Sequence, residues 1–184
     1  MKKFIYILSG LVLAVFLLLI YATRKPKSEM AKANREQFIK ILRSSGRTGV
    51  ESVISQLDST DFFTRGAGGH HDEEGGLVQH SLEVYRIMRF LCCFQSSGDV
   101  AVIALFHDMG KIDTDGWHPW RSVKHLTEWG FELTEDEFYI IFRHHTQKLK
   151  YYRFARRRAL TLADALSTGW WKLWHKNRKS DNQP

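Results

Sequence analysis

The amino-acid sequence predicts an all-α domain that follows one N-terminal transmembrane helix. Apolar residues recur at intervals of three and four along most of the chain, which is the spacing of one helix face. The strict alternation of apolar and polar residues that marks strands is scarce. Residues 4–22 carry no charged side chain. The 162 residues that follow that segment are enough for one domain with its own core.

The uncharged segment is long enough to cross a bilayer as a helix. Its nineteen residues, at a rise of 1.5 Å each, span about 28 Å, close to the hydrocarbon thickness of a membrane. Tyr6 and Tyr21 stand near its two ends, where interfacial aromatic residues are common. A cleaved signal peptide is the alternative, but its apolar region is usually about 7 to 15 residues long. We therefore expect an uncleaved anchor that embeds residues 4–22 in the lipid bilayer.

Charge and cysteine content indicate which side of the membrane the domain occupies. More lysine and arginine residues follow the anchor than precede it, and positive flanks favour the cytoplasmic side. Cys92 and Cys93 are adjacent and are the only cysteines, so no disulfide is expected. These features predict a single-pass protein of the inner or plasma membrane with a cytoplasmic domain. The predicted organisation is an anchor at 1–23, a basic linker at 24–33, the helical domain at 34–175 and a basic polar tail at 176–184.

Start and stop signals divide the domain into helices. Thr134 and Glu137 form a capping-box pattern, Pro119 suits a first helical turn, and Asp99 is a predicted N-cap. The helix that begins after Thr134 is expected to turn Phe138 inward. Five glycines mark the segment before the next long helix as an irregular loop. Helices are predicted at 34–43, 51–57, 77–94, 99–109, 119–129, 134–146 and 156–173.

The residues with the clearest chemical signature are His107 and Asp108, which close an otherwise apolar helix. Burying a carboxylate there is costly unless its charge is compensated. A divalent cation would compensate it, because histidine and aspartate are ordinary ligands for such ions. Lys111 follows Asp108 by three residues and is expected on the same side. A hydrogen bond between the histidine and the aspartate at a helix end is the alternative for this pair taken alone.

Two further polar residues stand on apolar helix faces. His80 lies on the apolar stripe of the helix at 77–94, and Asp164 lies between two alanines. Taken singly, His80 fits a core histidine and Asp164 fits the partner of a nearby arginine. Taken with His107 and Asp108, they supply two histidines and two aspartates from three helices, which is a suitable ligand set for one divalent ion.

The order and spacing of these residues resemble the HD-domain superfamily of metal-dependent phosphohydrolases. The segments HHDEEGGLVQHS at residues 70–81 and ALFHDMGK at 104–111 carry the resemblance, together with Asp164. It extends over roughly residues 62–167. The first segment is most similar to the branch that contains YhaM-type 3′–5′ exoribonucleases, some phage HD proteins and the HD domains of certain conjugative relaxases. The resemblance implies a helical bundle of the HD-domain type.

The resemblance also implies a role for each candidate residue. One or two divalent ions per chain are expected, drawn from Mn, Fe, Mg, Zn or Ni, with Asp108 and Lys111 as catalytic residues. The first ion would be held by His80, His107, Asp108 and Asp164, and a second ion or a phosphate by His118 and His144. Substrate contacts are expected from His71, Lys111, Arg143 and His145. The alternative for the pair at 144–145 is a polar helix end that complements the helix dipole.

These features together predict a membrane-anchored hydrolase of a phosphate mono- or diester, with a nucleotide or short oligonucleotide as substrate. A non-catalytic HD module that binds a nucleotide or metal as a sensor or scaffold is the first alternative. A nuclease is the second, and its only support in the sequence is the basic, tryptophan-rich C-terminal segment. The same tryptophans could pack on the domain or contact the membrane. The sequence also permits oligomerisation.

Overall fold

The computed structural model describes residues 27–93, 96–113, 117–145 and 155–180. Within those ranges the chain forms seven α-helices and one short 3-10 helix, and no strand, so the predicted all-α fold class is confirmed. The α-helices are α1 (Lys27–Ser44), α2 (Val50–Asp58), α3 (Gly76–Leu91), α4 (Ser97–Phe106), α5 (His118–Glu128), α6 (Glu135–Arg143) and α7 (Ala155–Ser180), and the 3-10 helix spans Met109–Ile112.

Helix α4 is the centre of the core. Its residues 100–106 are all buried. A helix that is apolar on every side must be covered on every side, and α1, α3, α6 and α7 all contact it. Two hydrophobic clusters meet along it, one that contains Phe106 and the aromatic ring of Phe38 and one that contains Ile103 and Leu160. Because α3 also packs against α7, both helices pass beside α4 and carry their polar residues to its end.

The chain turns sharply at the end of α4. The predicted helix at 99–109 stops earlier, at Phe106, and the 3-10 helix follows after Asp108. Ser122 on α5 holds this turn, because its hydroxyl accepts a hydrogen bond from the Gly110 amide (2.8 Å) and donates one to the His107 carbonyl (3.1 Å). A Cβ at Gly110 would lie 2.2 Å from the His118 carbonyl oxygen, so this close approach requires glycine.

The start of α4 also differs from the prediction. Asp99 lies in the first turn rather than at the N-cap, because the helix already begins at Ser97. Its carboxylate pairs instead with Arg156 of α7, at 3.0 Å. A carboxylate in a first turn still interacts favourably with the helix dipole. The sequence pattern therefore predicted where the helix starts. It did not predict the ion pair with Arg156, which is distant from Asp99 in the sequence.

The capping box predicted for α6 is confirmed, but the inward position predicted for Phe138 is wrong. The Thr134 hydroxyl accepts a hydrogen bond from the Glu137 amide (3.2 Å), and the Glu137 carboxylate accepts one from the Thr134 amide (2.8 Å). Phe138, predicted to point inward, is 38% exposed, whereas Glu137 is fully buried. Glu137 is buried because Arg47 from the loop before α2 forms an ion pair with it.

The predicted membrane anchor lies outside the described residues, as do the first residues of the linker and the last four of the chain. In the ranges that the structure describes, no helix is both long and apolar enough to span a bilayer. Helix α7 continues to Ser180, seven residues beyond its predicted end at 173.

Candidate metal centre

Four side chains from three segments meet at the end of α4. His80 comes from α3, His107 and Asp108 from the turn after α4, and Asp164 from α7. His80 Nε2 lies 3.2 Å from Asp164 Oδ1, 3.3 Å from His107 Nε2 and 3.5 Å from Asp108 Oδ2, and the last two atoms are 3.6 Å apart. Ligand atoms bound to one ion at about 2.1 Å lie roughly 3.0–3.4 Å apart in octahedral or tetrahedral geometry. The spacing around His80 is therefore close to that of a coordination sphere.

The hydrogen bonds of both histidines leave Nε2 available for a metal. His107 Nδ1 donates to the Ala104 carbonyl oxygen at 2.9 Å. His80 Nδ1 lies 3.0 Å from the Ser167 hydroxyl, which itself donates to a Glu83 carboxylate oxygen at 2.9 Å. A proton on each Nδ1 places the lone pair on Nε2. Burial also lowers the pKa of His107 to about 3, so its ring is neutral near pH 7.

A second group of ligand atoms lies on the other side of Asp108. Asp108 Oδ1 is 3.0 Å from His118 Nε2 and 3.5 Å from His144 Nε2, and His145 Nε2 is 3.0 Å from His118 Nε2. The His144 Nδ1 donates to the Ile141 carbonyl oxygen at 2.6 Å, which again directs Nε2 toward the aspartate. Asp108 thus presents Oδ2 to one group of histidines and Oδ1 to another, which is the arrangement of a bridging carboxylate.

Buried polar atoms without partners test whether this site fits a cation. Asp108 Oδ1 and His144 Nε2 are buried, and neither has an aligned hydrogen-bond partner among the described residues. Leaving such an atom unsatisfied costs about 1–3 kcal/mol. One divalent ion would satisfy both atoms, and the nitrogen and oxygen donors suit Mn, Fe, Zn or Ni. The residues present therefore fit a divalent metal.

The comparison with protein families decides the relationship. The family model of the HD domain matches residues 77–169, half of the chain. The chain belongs to the HD-domain family. No curated protein and no solved structure gives a match to this chain. The matched range includes His80, His107, Asp108 and Asp164. It begins after the HHDEEGG segment at 70–76 and ends before the C-terminal tail. The resemblance to the exoribonuclease and relaxase branch therefore stays a prediction.

Lys111 follows the HD pair and lies directly against it. Its Nζ is 2.7 Å from Asp108 Oδ2 and donates a hydrogen bond to the Ala67 carbonyl oxygen at 2.9 Å. Burial alone would raise the pKa of Asp108, but His107, His118, His144 and Lys111 hold it well below its usual range. The carboxylate is therefore ionised and available as a ligand at neutral pH.

Glu83 and Ser167 are hydrogen-bonded to the candidate metal centre through His80, although the sequence pattern predicted no role for them. The Glu83 carboxylate accepts hydrogen bonds from Ser167 and, at 3.0 Å, from Gln79. Burial acts to raise the pKa of Glu83, but the charge and hydrogen bond of His71 and the bonds from Gln79 and Ser167 lower it to about 2. Glu83 follows His80 by three residues and Ser167 follows Asp164 by three. Helical spacing therefore placed both on the ligand-bearing faces of their helices.

The side chains that the sequence predicts as substrate contacts lie in different environments. His71 is only 2% exposed, and its Nε2 lies 3.3 Å from Glu83 Oε2, so it is inside the polar network behind His80. His145 joins the second histidine group, and burial lowers its pKa to about 4. Arg143 ends α6 with its guanidinium 5.1 Å from the centre of the Phe142 ring.

Proposed function

We propose that this chain is a membrane-anchored, metal-dependent phosphohydrolase that acts on a phosphate mono- or diester, a nucleotide or a short oligonucleotide. The observation that carries the proposal is the position of Asp108 between two groups of histidines, with the ammonium of Lys111 at 2.7 Å. HD domains of this family are generally metal-dependent hydrolases, and the donor set fits a divalent ion.

The roles of the side chains follow from their charges and positions. A bound divalent ion lowers the pKa of a water ligand and polarises a phosphoryl oxygen. His80, His107, Asp108 and Asp164 would hold the first ion, and His118 and His144, with Asp108 as a bridge, would hold a second. Lys111 is held beside this carboxylate, where its ammonium neutralises negative charge that develops on a phosphoryl group.

The exposed part of the site indicates where a substrate enters. His80 and His107 are fully buried, whereas the side chains of His118 and Asp164 are each 22% exposed. Solvent therefore reaches the site between α5 and α7. In this proposal, Arg143 at the end of α6 and His145 just after it would contact the phosphate. A phosphate ester approaching from that side would meet His118 and Asp164 before the fully buried His80.

Membrane attachment is the part of the proposal that rests on sequence alone. Residues 4–22 carry no charge and have the length of one spanning helix. The described domain begins at Lys27 in α1, within the segment that the sequence predicts as the linker at 24–33. The catalytic domain would therefore lie close to the bilayer surface, on the side favoured by the positive flank.

The test is metal content and turnover of the full-length protein, purified in detergent without chelator. Activity with Mn²⁺ is measured on p-nitrophenyl phosphate, bis-p-nitrophenyl phosphate, nucleotides and short RNA, for the wild type and for Asp108→Asn. The exposed Asp136 on α6 supplies the matched control, Asp136→Asn. We expect bound metal and hydrolysis that are lost only in Asp108→Asn. Stoichiometric metal without turnover on any substrate would instead favour the sensor alternative.

A further inference from the structure

His70, in the glycine-rich loop before α3, faces the candidate metal centre but is not one of the ligand residues described above. His70 precedes the range matched by the HD family model. Its ring packs nearly perpendicular to that of His80, with centroids 4.7 Å apart. His70 Nε2 is buried and has no hydrogen-bond partner among the described residues. One ligand atom each of His70, His80 and Asp164 lie within 4.8 Å of one another.

The backbone around His70 is held in one shape by short contacts. His71 has a φ of 48°, in the left-handed region that favours glycine. Its carbonyl oxygen accepts a hydrogen bond from the Ala67 amide at 2.8 Å. A Cβ at Gly76 would lie 1.8 Å from that same oxygen, so only glycine allows α3 to start this close to the loop. The position of His70 is therefore a product of a tightly folded segment.

The loop is also fastened to the turn that carries the HD pair. Arg65 donates a hydrogen bond to the Lys111 carbonyl oxygen, and Lys111 Nζ donates one to the Ala67 carbonyl oxygen at 2.9 Å. These two hydrogen bonds join the loop to the turn that carries His107 and Asp108. His71, buried against Glu83, anchors the other end of the same segment. Between these anchors the His70 ring packs on His80, and one of its nitrogens lies within 4.8 Å of ligand atoms of His80 and Asp164.

A buried imidazole nitrogen beside a carboxylate needs a partner, and the described protein atoms supply none. A cation held by His80 and Asp164 would be that partner. The Asp164 carboxylate is partly exposed, and its Oδ1 lies 3.2 Å from His80 Nε2. We propose that His70 is an additional protein ligand of the ion held by His80 and Asp164, carried by the glycine-rich loop that precedes α3. This inference rests on the metal centre of the proposed function.

The experiment measures metal binding and coordination, independently of turnover. Co²⁺ is titrated into the metal-free full-length protein in detergent, with calorimetry for the Kd and visible d–d absorption for the coordination number. The variants are His70→Ala and His70→Gln, which keeps a polar side chain of similar length. The matched control is His125→Gln on α5, because His125 bonds to Asp113 (2.8 Å) outside the site. Circular dichroism establishes that each variant is folded.

We expect both His70 variants to raise the Co²⁺ Kd by about 10- to 100-fold, the range for loss of a group that supports a metal, and to change the d–d band. The His125→Gln control should match the wild type. Wild-type Kd and spectrum in both His70 variants would overturn this inference while leaving the metal centre intact, and a raised KM in those variants would then place His70 against the substrate. Absence of Co²⁺ binding by the wild type would overturn the metal centre itself.

Discussion

The Ser167 hydroxyl on α7 donates a 2.9 Å hydrogen bond to the Glu83 carboxylate on α3. The same hydroxyl lies 3.0 Å from His80 Nδ1, so serine links a partly buried carboxylate to a histidine of the candidate metal centre. Groups of this kind fix the tautomer of a ligating histidine and raise its basicity. Two helices that are distant in sequence are thereby joined at the point where both contribute to the site.

This link predicts that Ser167→Ala weakens metal binding without unfolding the domain. Removing the hydroxyl leaves His80 Nδ1 without its present partner and allows the proton to move to Nε2, which then cannot bind an ion. We expect the Kd for Mn²⁺ to rise about 10- to 100-fold. Ser55→Ala, on the exposed face of α2, is the control. An unchanged Kd in Ser167→Ala would show that His80 is oriented by other contacts.

Metal removal is expected to destabilise the protein. An ion that binds only the folded chain stabilises it by about 2.7 kcal/mol at a concentration of 100 times its Kd. For a domain of this size, that free energy corresponds to a change in Tm of about 5–10 °C. A thermal scan with EDTA should therefore give a lower Tm than one with Mn²⁺. Asp108→Asn should lose this difference and Asp136→Asn should keep it. A full Mn²⁺ shift in Asp108→Asn would remove Asp108 from the ligand set.

The loop before α3 predicts a large effect of one added methyl group. In Gly76→Ala the new Cβ meets backbone atoms of His71, which cannot rotate away as a side chain would. We expect the free energy of unfolding to fall by about 3 kcal/mol, measured by urea titration. Gly169→Ala is the matched control, because Gly169 lies in α7 and no atom of the described residues packed against the helix lies within 4 Å of the added Cβ. That variant should gain about 0.5–1 kcal/mol from helix propensity, and a Gly76→Ala variant as stable as wild type would contradict this loop structure.

Labelling of the Cys93 thiol tests on which side of the membrane the domain lies. Cys93 is exposed and free, whereas Cys92 is buried. If the domain is cytoplasmic, a membrane-impermeant maleimide should label Cys93 only after the cells are permeabilised. Cys93→Ser supplies the unlabelled control, and a chain without residues 1–26 should move to the soluble fraction. Labelling in intact cells would place the domain on the opposite side.

Local signals in the sequence determined the helices and the identity of the polar residues in the centre. The apolar run at 100–106 predicts a helix buried on all sides, and a histidine, an aspartate and a lysine follow it at once. The capping box at Thr134 is equally local, since both of its partners lie within one turn. His80 and Asp164 were recognisable because a polar group on an apolar helix face conflicts with burial wherever the helix packs. The structure brings atoms of His107, Asp108 and Asp164 within 3.2–3.5 Å of His80 Nε2.

Tertiary contacts decided which polar groups became partners. Phe138 is exposed and Glu137 buried because Arg47, ninety residues away, supplies a charge that no local pattern contains. Glu83, Ser167 and His71 form one network from three separate segments, so their pairing depends on how α3 packs on α7. His70 rather than its neighbour faces the centre because Gly76 allows the loop to fold tightly against the start of α3. Periodicity reports the face on which a residue lies, whereas only the packed structure shows which atoms stand opposite it.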